Sequence, residues 1–253
     1  MLLWSDPKRL DLAVWRIKQI FLSQGIKMYV YAIGSLFFLA VWLGMYIFVP
    51  KSRKVILWSS IAWGHAGPIS EYWHLKDYWN PVYMLRFEVG KWTFGIEDYL
   101  FAFAYGGIAA GIFDILARRS GDKEFERFYL LGFIKLLLVV ICCLFVMGAL
   151  TTLLHFNSLY AISITLFVGG IIIVFLHPRW TLAAIQTGII SGIFMWIFYW
   201  GFYLRLFPHV VDKWWYQEAI TGILVGGVPI EELIWASTAF FVGPVFRYCL
   251  TKN

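Results

Sequence analysis

The stretch Gly226-Gly-Val-Pro-Ile-Glu-Glu-Leu-Ile-Trp235 sets two adjacent carboxylates, Glu231 and Glu232, at the head of an apolar run that continues to Leu250. Pro229 fits the first position of a helix, where its missing N–H goes unused, so both acids fall in a helical first turn. In a soluble protein such acids stabilise a helix by about 0.3–1 kcal/mol through its macrodipole. In a bilayer the balance reverses, because an acidic residue near the centre costs a few kcal/mol even on lenient insertion scales. The pair therefore points to function rather than to capping alone.

The remainder of the 253-residue chain has the same character, with 61% hydrophobic residues, 14% charged residues and a mean hydropathy of +0.73. That composition excludes a water-soluble globule. Crossing a hydrocarbon core takes roughly 20 apolar residues, and about seven such runs stand between polar punctuation. They are 28–49, 55–72, 96–116, 129–150, 159–176, 181–204 and 221–250. The fold class that follows is all-α, a polytopic helical bundle forming a single membrane domain over 1–253 of a multi-pass protein of the cell membrane.

Ahead of the first run, residues 1–25 alternate Leu12, Trp15 and Ile20 with Lys8, Arg16 and Lys18 on a helical period, as an interfacial amphipathic helix does. A signal peptide would need an unbroken apolar core, which this segment lacks. The net charge of +6 is spread over loops, which favours anionic membrane lipid as the partner and excludes a nucleic-acid stripe. Of the three cysteines, Cys142 and Cys143 sit mid-span, where they serve packing.

Two polar, aromatic-rich segments interrupt the apolar pattern, one before the third run and one before the last. Directly after them come Gly95-Ile-Glu-Asp-Tyr-Leu-Phe101 and Pro229-Ile-Glu-Glu-Leu-Ile-Trp235, which superpose without gaps. Glu97 falls on Glu231, Asp98 on Glu232 and Phe101 on Trp235. The echo predicts a duplicated three-helix unit, 26–116 and 158–250, with 129–150 as a linker helix. Four crossings would separate the motifs, so both begin at the same depth on one side. Lys51, Arg53, Lys54, Arg118, Arg119, Lys123 and Arg127 then make the other side basic, although the N-terminal segment is basic too. One observation tests the scheme: the third and seventh spans must pack together and bring Glu97 and Glu231 to one cavity.

Two neighbouring carboxylates in a low dielectric cannot both ionise cheaply, so one holds its proton while the other is an anion. That combination is a proton donor beside a group that steadies a developing cation. Helical spacing sets Glu231 against Trp235 and Thr238, and Glu97 against Phe101 and Tyr105. Ring faces attract positive charge. Aromatics make up 20% of the chain, however, and Trp and Tyr gather at membrane interfaces without any catalytic role.

The two acidic motifs, together with Glu71-Tyr-Trp-His-Leu-Lys-Asp-Tyr-Trp-Asn-Pro81, resemble the lycopene cyclase domain family, small membrane carotenoid cyclases with repeated Pro-x-Glu-Glu motifs. Glu231 and Glu232 match that motif fully, whereas the first copy has Gly95 for the proline and Asp98 for the second glutamate. The resemblance implies carotenoid biosynthesis: an acid-catalysed, redox-neutral cyclisation of a carotenoid or other isoprenoid end group, the work of an isomerase or intramolecular lyase. It implies a polyisoprenoid substrate and neither cofactor nor metal. It assigns proton transfer to Glu231, Glu232, Glu97 and Asp98, and substrate contact to Trp235, Phe101, Tyr105, Glu71 and Trp79. No Gly-x-Gly-x-x-Gly stretch in a strand-turn-helix context speaks for a nucleotide.

Other chemistries fit some of these residues. Glu71 and His74, with His65 upstream, have the Glu-x-x-His spacing of di-iron bundles, but a second such pair is missing. A magnesium-dependent membrane prenyltransferase would want acids spaced along a helix face, whereas these are adjacent. A transporter or lipid-binding bundle could use the paired carboxylates as a proton relay. A retinal Schiff base finds no lysine in the last span. Asp114 and Asn157 read as ordinary interfacial residues, as do His155, His177 and His209 at loop edges, and the stretch around Pro178 and Arg179 reads as a tight turn.

Overall fold

The computed structural model describes residues 29–119, 130–208 and 210–250. The amphipathic segment expected at 1–25, the basic positions Lys123 and Arg127, and His209 lie outside these residues. The helix α1 (Val30–Phe48) ends at a three-residue 3-10 turn, Pro50–Ser52, from which α2 (Arg53–Asp77) returns. A hairpin of β1 (Arg86–Val89) and β2 (Trp92–Gly95) then feeds α3 (Ile96–Arg119). After α4 (Leu130–Leu153) the same order recurs. The helix α5 (Ser158–Leu176) ends at the 3-10 turn Pro178–Trp180, and α6 (Thr181–Phe198) runs on as a π-helical stretch, Tyr199–Leu206. The short α7 (Val210–Trp214) and a hairpin of β3 (Leu224–Val225) and β4 (Val228–Pro229) lead into α8 (Ile230–Ser237) and α9 (Ala239–Leu250).

Local chemistry accounts for these breaks. Pro50 and Pro178 each open a 3-10 turn, where proline's fixed φ and missing donor end one helix and start the next. Both hairpins close with two residues, Gly90 at φ 62° in the first, Gly226 and Gly227 at φ 63° and 89° in the second. That left-handed geometry suits the right-handed strand twist and disfavours residues with a Cβ.

Five helices are long and apolar enough to cross a membrane, rather than the expected seven or so among the described residues: Val30–Phe48, Ile96–Arg118, Leu131–Leu153, Ser158–Leu176 and Pro178–Leu206. The run expected at 55–72 lies within α2, whose 25 residues span about 38 Å but carry Arg53, Lys54, Glu71, His74, Lys76 and Asp77. The run expected at 221–250 gives its first residues to a hairpin and is interrupted at Thr238, between α8 and α9.

Of the residues in the apolar stretch of α3, 61% are buried, against 28% for α4, so α3 is the centre of the bundle and α4 its flank. Phe48, Phe145, Leu153 and Phe175 are each at least three-quarters exposed or nearly so, a surface suited to lipid rather than water. Glycines allow the central contact. A Cβ at Gly67 of α2 would run into the Asp98 carbonyl and Ala102 of α3, while Gly106 and Gly107 of α3 receive Trp63, Trp42 and Ser60.

Asp114, near a span end, is held by specific partners. It is fully buried near the end of α3 remote from the acidic motif, accepting from Ser52 Oγ (2.7 Å), Arg118 Nε (2.7 Å) and Arg247 (2.6 Å). This cluster pins the first proline turn to α9. Asn157 is likewise structural: its Oδ1 caps α5 by accepting the Leu159 N–H (2.9 Å), and its Nδ2 donates to the Asp77 carbonyl (2.7 Å).

Candidate functional site

Asp98 sits in the first turn of α3, where its Oδ2 accepts the Gly95 N–H at 2.7 Å, the return bond of a capping box. Its Oδ1 accepts from Tyr31 Oη of α1 at 2.8 Å. The neighbouring Glu97 points elsewhere. Its Oε1 accepts the Met84 N–H (2.6 Å) in the loop before the hairpin, and its Oε2 is buried with no partner. A Cβ at position 95 would collide with the Tyr83 ring and the Glu97 carboxylate, which explains glycine where the second motif has proline.

The second motif repeats this division. Glu231 Oε1 accepts from the Thr221 N–H (2.7 Å), the Thr221 hydroxyl (2.5 Å) and Tyr160 Oη (2.9 Å), while its Oε2 is buried without a partner. Glu232 Oε1 accepts from Trp215 Nε1 at 2.6 Å. In each pair, the first acid ties down the loop entering its hairpin and the second faces the interior.

Asp98 and Glu232 face the same interior, a cavity that also takes Glu71 and His74 from α2. Glu71 Oε2 accepts from Trp79 Nε1 (3.1 Å) and Tyr83 Oη (3.3 Å). Tyr83, in the loop after α2, has its phenol pushed well above the usual value, first by burial and then by the Glu71 and Asp98 carboxylates facing it. The opposite wall is aromatic. Trp235 stacks on Tyr105 (centroids 4.9 Å apart, 26° between planes) and on Phe101 (5.9 Å, 23°), and Tyr105 Oη donates to the Ala236 carbonyl at 2.5 Å. Among the described residues no lysine or arginine lines the cavity.

The third and last helical runs thus pack together, and the cavity between them receives Asp98 and Glu232, with Glu97 and Glu231 directed to the loops. Trp235, Phe101, Tyr105, Glu71 and Trp79 all line it. His65 is exposed and bonded to the Ile61 carbonyl of its own helix, apart from Glu71 and His74.

Aromatic contributors that escaped the sequence reading include Tyr31, Tyr199 and Tyr203 on the lining, and Trp215 behind Glu232. Trp215 had a signal in Trp214-Trp215, the counterpart of Trp79 in the earlier polar segment. The two segments pair, with the Asn80 N–H donating to the Trp214 carbonyl (2.6 Å), the Tyr216 N–H to the Tyr78 carbonyl (2.9 Å), and the Trp79 and Trp215 rings 5.5 Å apart.

These features define the class: a membrane helical bundle whose interior holds an acid-bearing, aromatic-walled cavity. Residues 157–250, from the cap of α5 to the end of α9, match the family model of lycopene cyclase. No curated protein and no solved structure matches the chain.

Proposed function

We propose that the protein cyclises the end group of a carotenoid or related polyene within the bilayer, without net redox change. The observation that carries this reading is one cavity holding Glu71, Asp98 and Glu232 opposite the stacked Phe101, Tyr105 and Trp235. Three carboxyl groups with no lysine or arginine on the cavity lining among the described residues cannot all be charged, so at least one is a carboxylic acid. It protonates the terminal double bond. The next double bond attacks the tertiary cation, the ring closes, and loss of an adjacent proton leaves a ring double bond. Each ring face beside the cation contributes about 0.5–2 kcal/mol, the upper end applying where water is excluded. Asp98 and Glu232 carry the proton chemistry, Glu71 and Trp79 border the substrate, and Glu97 and Glu231 hold the loops that keep their neighbours aimed inward.

The same reading makes 30–119 and 158–250 two copies of one unit, joined by α4. It is supported by the shared order of helix, proline turn, helix, hairpin and acidic helix start. In it α2 and the α8–α9 pair complete the crossings alongside the five more apolar helices.

The test is expression in lycopene-producing cells. Wild-type protein should convert the acyclic pigment to a cyclic product of unchanged mass, and Glu232→Gln should lower conversion by roughly 100-fold, as loss of a general acid does. Pigment left acyclic by folded wild-type protein would sink the cyclase reading and return the paired carboxylates to a transporter or lipid-binding role.

A further inference from the structure

The cyclisation scheme needs a group to take the final proton, and one cavity residue is unused by it. His74 lies one helical turn after Glu71 on α2, lines the cavity and is nearly buried. Its Nδ1 is 2.6 Å from Ser158 Oγ, at the start of α5. Ser158 is itself held on both sides by Asp77, the hydroxyl donating to Oδ1 at 2.5 Å and the backbone N–H to Oδ2 at 2.9 Å. Ser158 has a single hydroxyl hydrogen, and the Asp77 carboxylate accepts it. The serine therefore presents only a lone pair to His74, so in the neutral ring Nδ1 is the nitrogen that carries the hydrogen. Nε2 is left bare. With Nδ1 engaged by Ser158, Nε2 is the ring nitrogen left to serve the cavity that His74 lines.

We propose that His74 is the base that takes the proton from the ring cation, with Ser158 and Asp77 as positioning residues that fix its tautomer. The proposal rests on the cyclase reading and deepens it. The step balances: a C–H bond beside the cationic carbon breaks, its electron pair becomes the ring double bond, and the proton passes to Nε2. The imidazolium so formed lies one turn from Glu71 and returns the proton to the carboxylate set, which restores the acid for the next end group. Placing the base on α2 also gives selectivity. A ring cation of this kind can lose a proton from any of several neighbouring carbons, and a fixed lone pair chooses among them.

The experiment has two arms. In pigment-producing cells, folded His74→Gln should still close rings, about 100-fold more slowly, as loss of a general base predicts. The share of product with a displaced ring double bond or an added hydroxyl should rise at least fivefold. Ser158→Ala should shift the same ratio, less strongly, and it serves as the readout should His74→Gln fail to fold. An unchanged product ratio in both variants overturns the proposal, as does complete loss of ring closure in folded His74→Gln. Nitrogen NMR of histidine-labelled wild-type protein in detergent is the second arm, with hydrogen on Nδ1 and none on Nε2 as the expected result. The reverse tautomer in an active enzyme overturns the base role alone. Wild-type protein that converts no polyene overturns the cyclase reading and the base role together, whichever tautomer it shows.

Discussion

The two series of elements, α1 to α3 and α5 to α9, follow one plan and supply different chemistry. Laying Pro50 on Pro178 brings Glu71 over Tyr199 and His74 over Phe202, so positions that are acidic or basic in the first series are aromatic in the second. The first contributes Asp98, Glu71 and His74 to the cavity, the second Glu232 with Trp235, Tyr199 and Tyr203. Backbone differences accompany the exchange. The long helix is regular through Asp77 in the first series and turns π-helical at Tyr199 in the second, where both inward tyrosines lie, a device common at functional sites. What the two series share is scaffold: the proline turn, the hairpin, and a loop-binding first acid beside an inward second acid. Shared scaffold with divided chemistry is what the proposed duplication would yield if one substrate end met both copies at once.

The largest effect should come from cutting the tie between the series. Asp114→Ala removes the buried carboxylate that accepts from Ser52, Arg118 and Arg247, and breaking a buried pair in this way costs about 3–5 kcal/mol. Thermal unfolding in detergent should show the loss as a much lower midpoint. An unchanged midpoint would mean the series cohere without this cluster. Next come the acids. Asp98→Asn and Glu232→Gln should each lower conversion per folded molecule by about 100-fold, equivalent to about 2.7 kcal/mol of barrier. Glu97→Met and Glu231→Met, which keep the volume and remove the acceptor, should instead cost about 1–3 kcal/mol of stability through the loop N–H groups the acids hold, with conversion per folded molecule within tenfold of wild type. Equal activity losses in all four would erase the division between first and second acids.

That division was out of reach of sequence. Adjacent residues on a helix point about 100° apart, so the Glu97-Asp98 and Glu231-Glu232 pairs tell that one member can face inward but not which. Hydrogen bonds from Met84 and Thr221, in loops with no periodicity of their own, decide it. The membrane class was legible because composition is a bulk property, and the gapless match of Gly95–Phe101 to Pro229–Trp235 gave away the paired helix starts. The pairing of Asp114 was not legible because its partner Arg247 lies far along the chain, and near a span end a paired aspartate and a solvated one look alike in sequence. The second and last spans were drawn too simply for a related reason. Cavity-facing polar residues lower the hydropathy of α2, and the interruption at Thr238 has neither proline nor glycine to announce it.

The aromatic wall offers a finer test of the asymmetry. Trp235→Leu keeps the wall apolar but removes the best cation-stabilising ring, so conversion should fall roughly tenfold, matching about 1–2 kcal/mol. Phe101→Leu, its counterpart in the first series, should cost less, because a phenyl face attracts a cation more weakly than indole. Equal losses measured on the same polyene would mean the wall acts by shape alone.

The smallest difference should lie in the hairpins. Gly90 stands at φ 62° with open space where a Cβ would go, so Gly90→Ala carries only the left-handed strain, about 1–2 kcal/mol. Gly227 stands at φ 89°, and a Cβ there would meet Leu204 Cδ1 at 2.8 Å, so Gly227→Ala adds a packing conflict to the same strain. The second hairpin also has two paired positions against four in the first, and fewer ladder bonds resist the distortion. Gly227→Ala should therefore lower the unfolding midpoint more than Gly90→Ala. It should also lower conversion slightly, because the loop entering that hairpin is the one Glu231 holds. If Gly90→Ala proves the more damaging, the first hairpin rather than the second governs how the acidic helices are set.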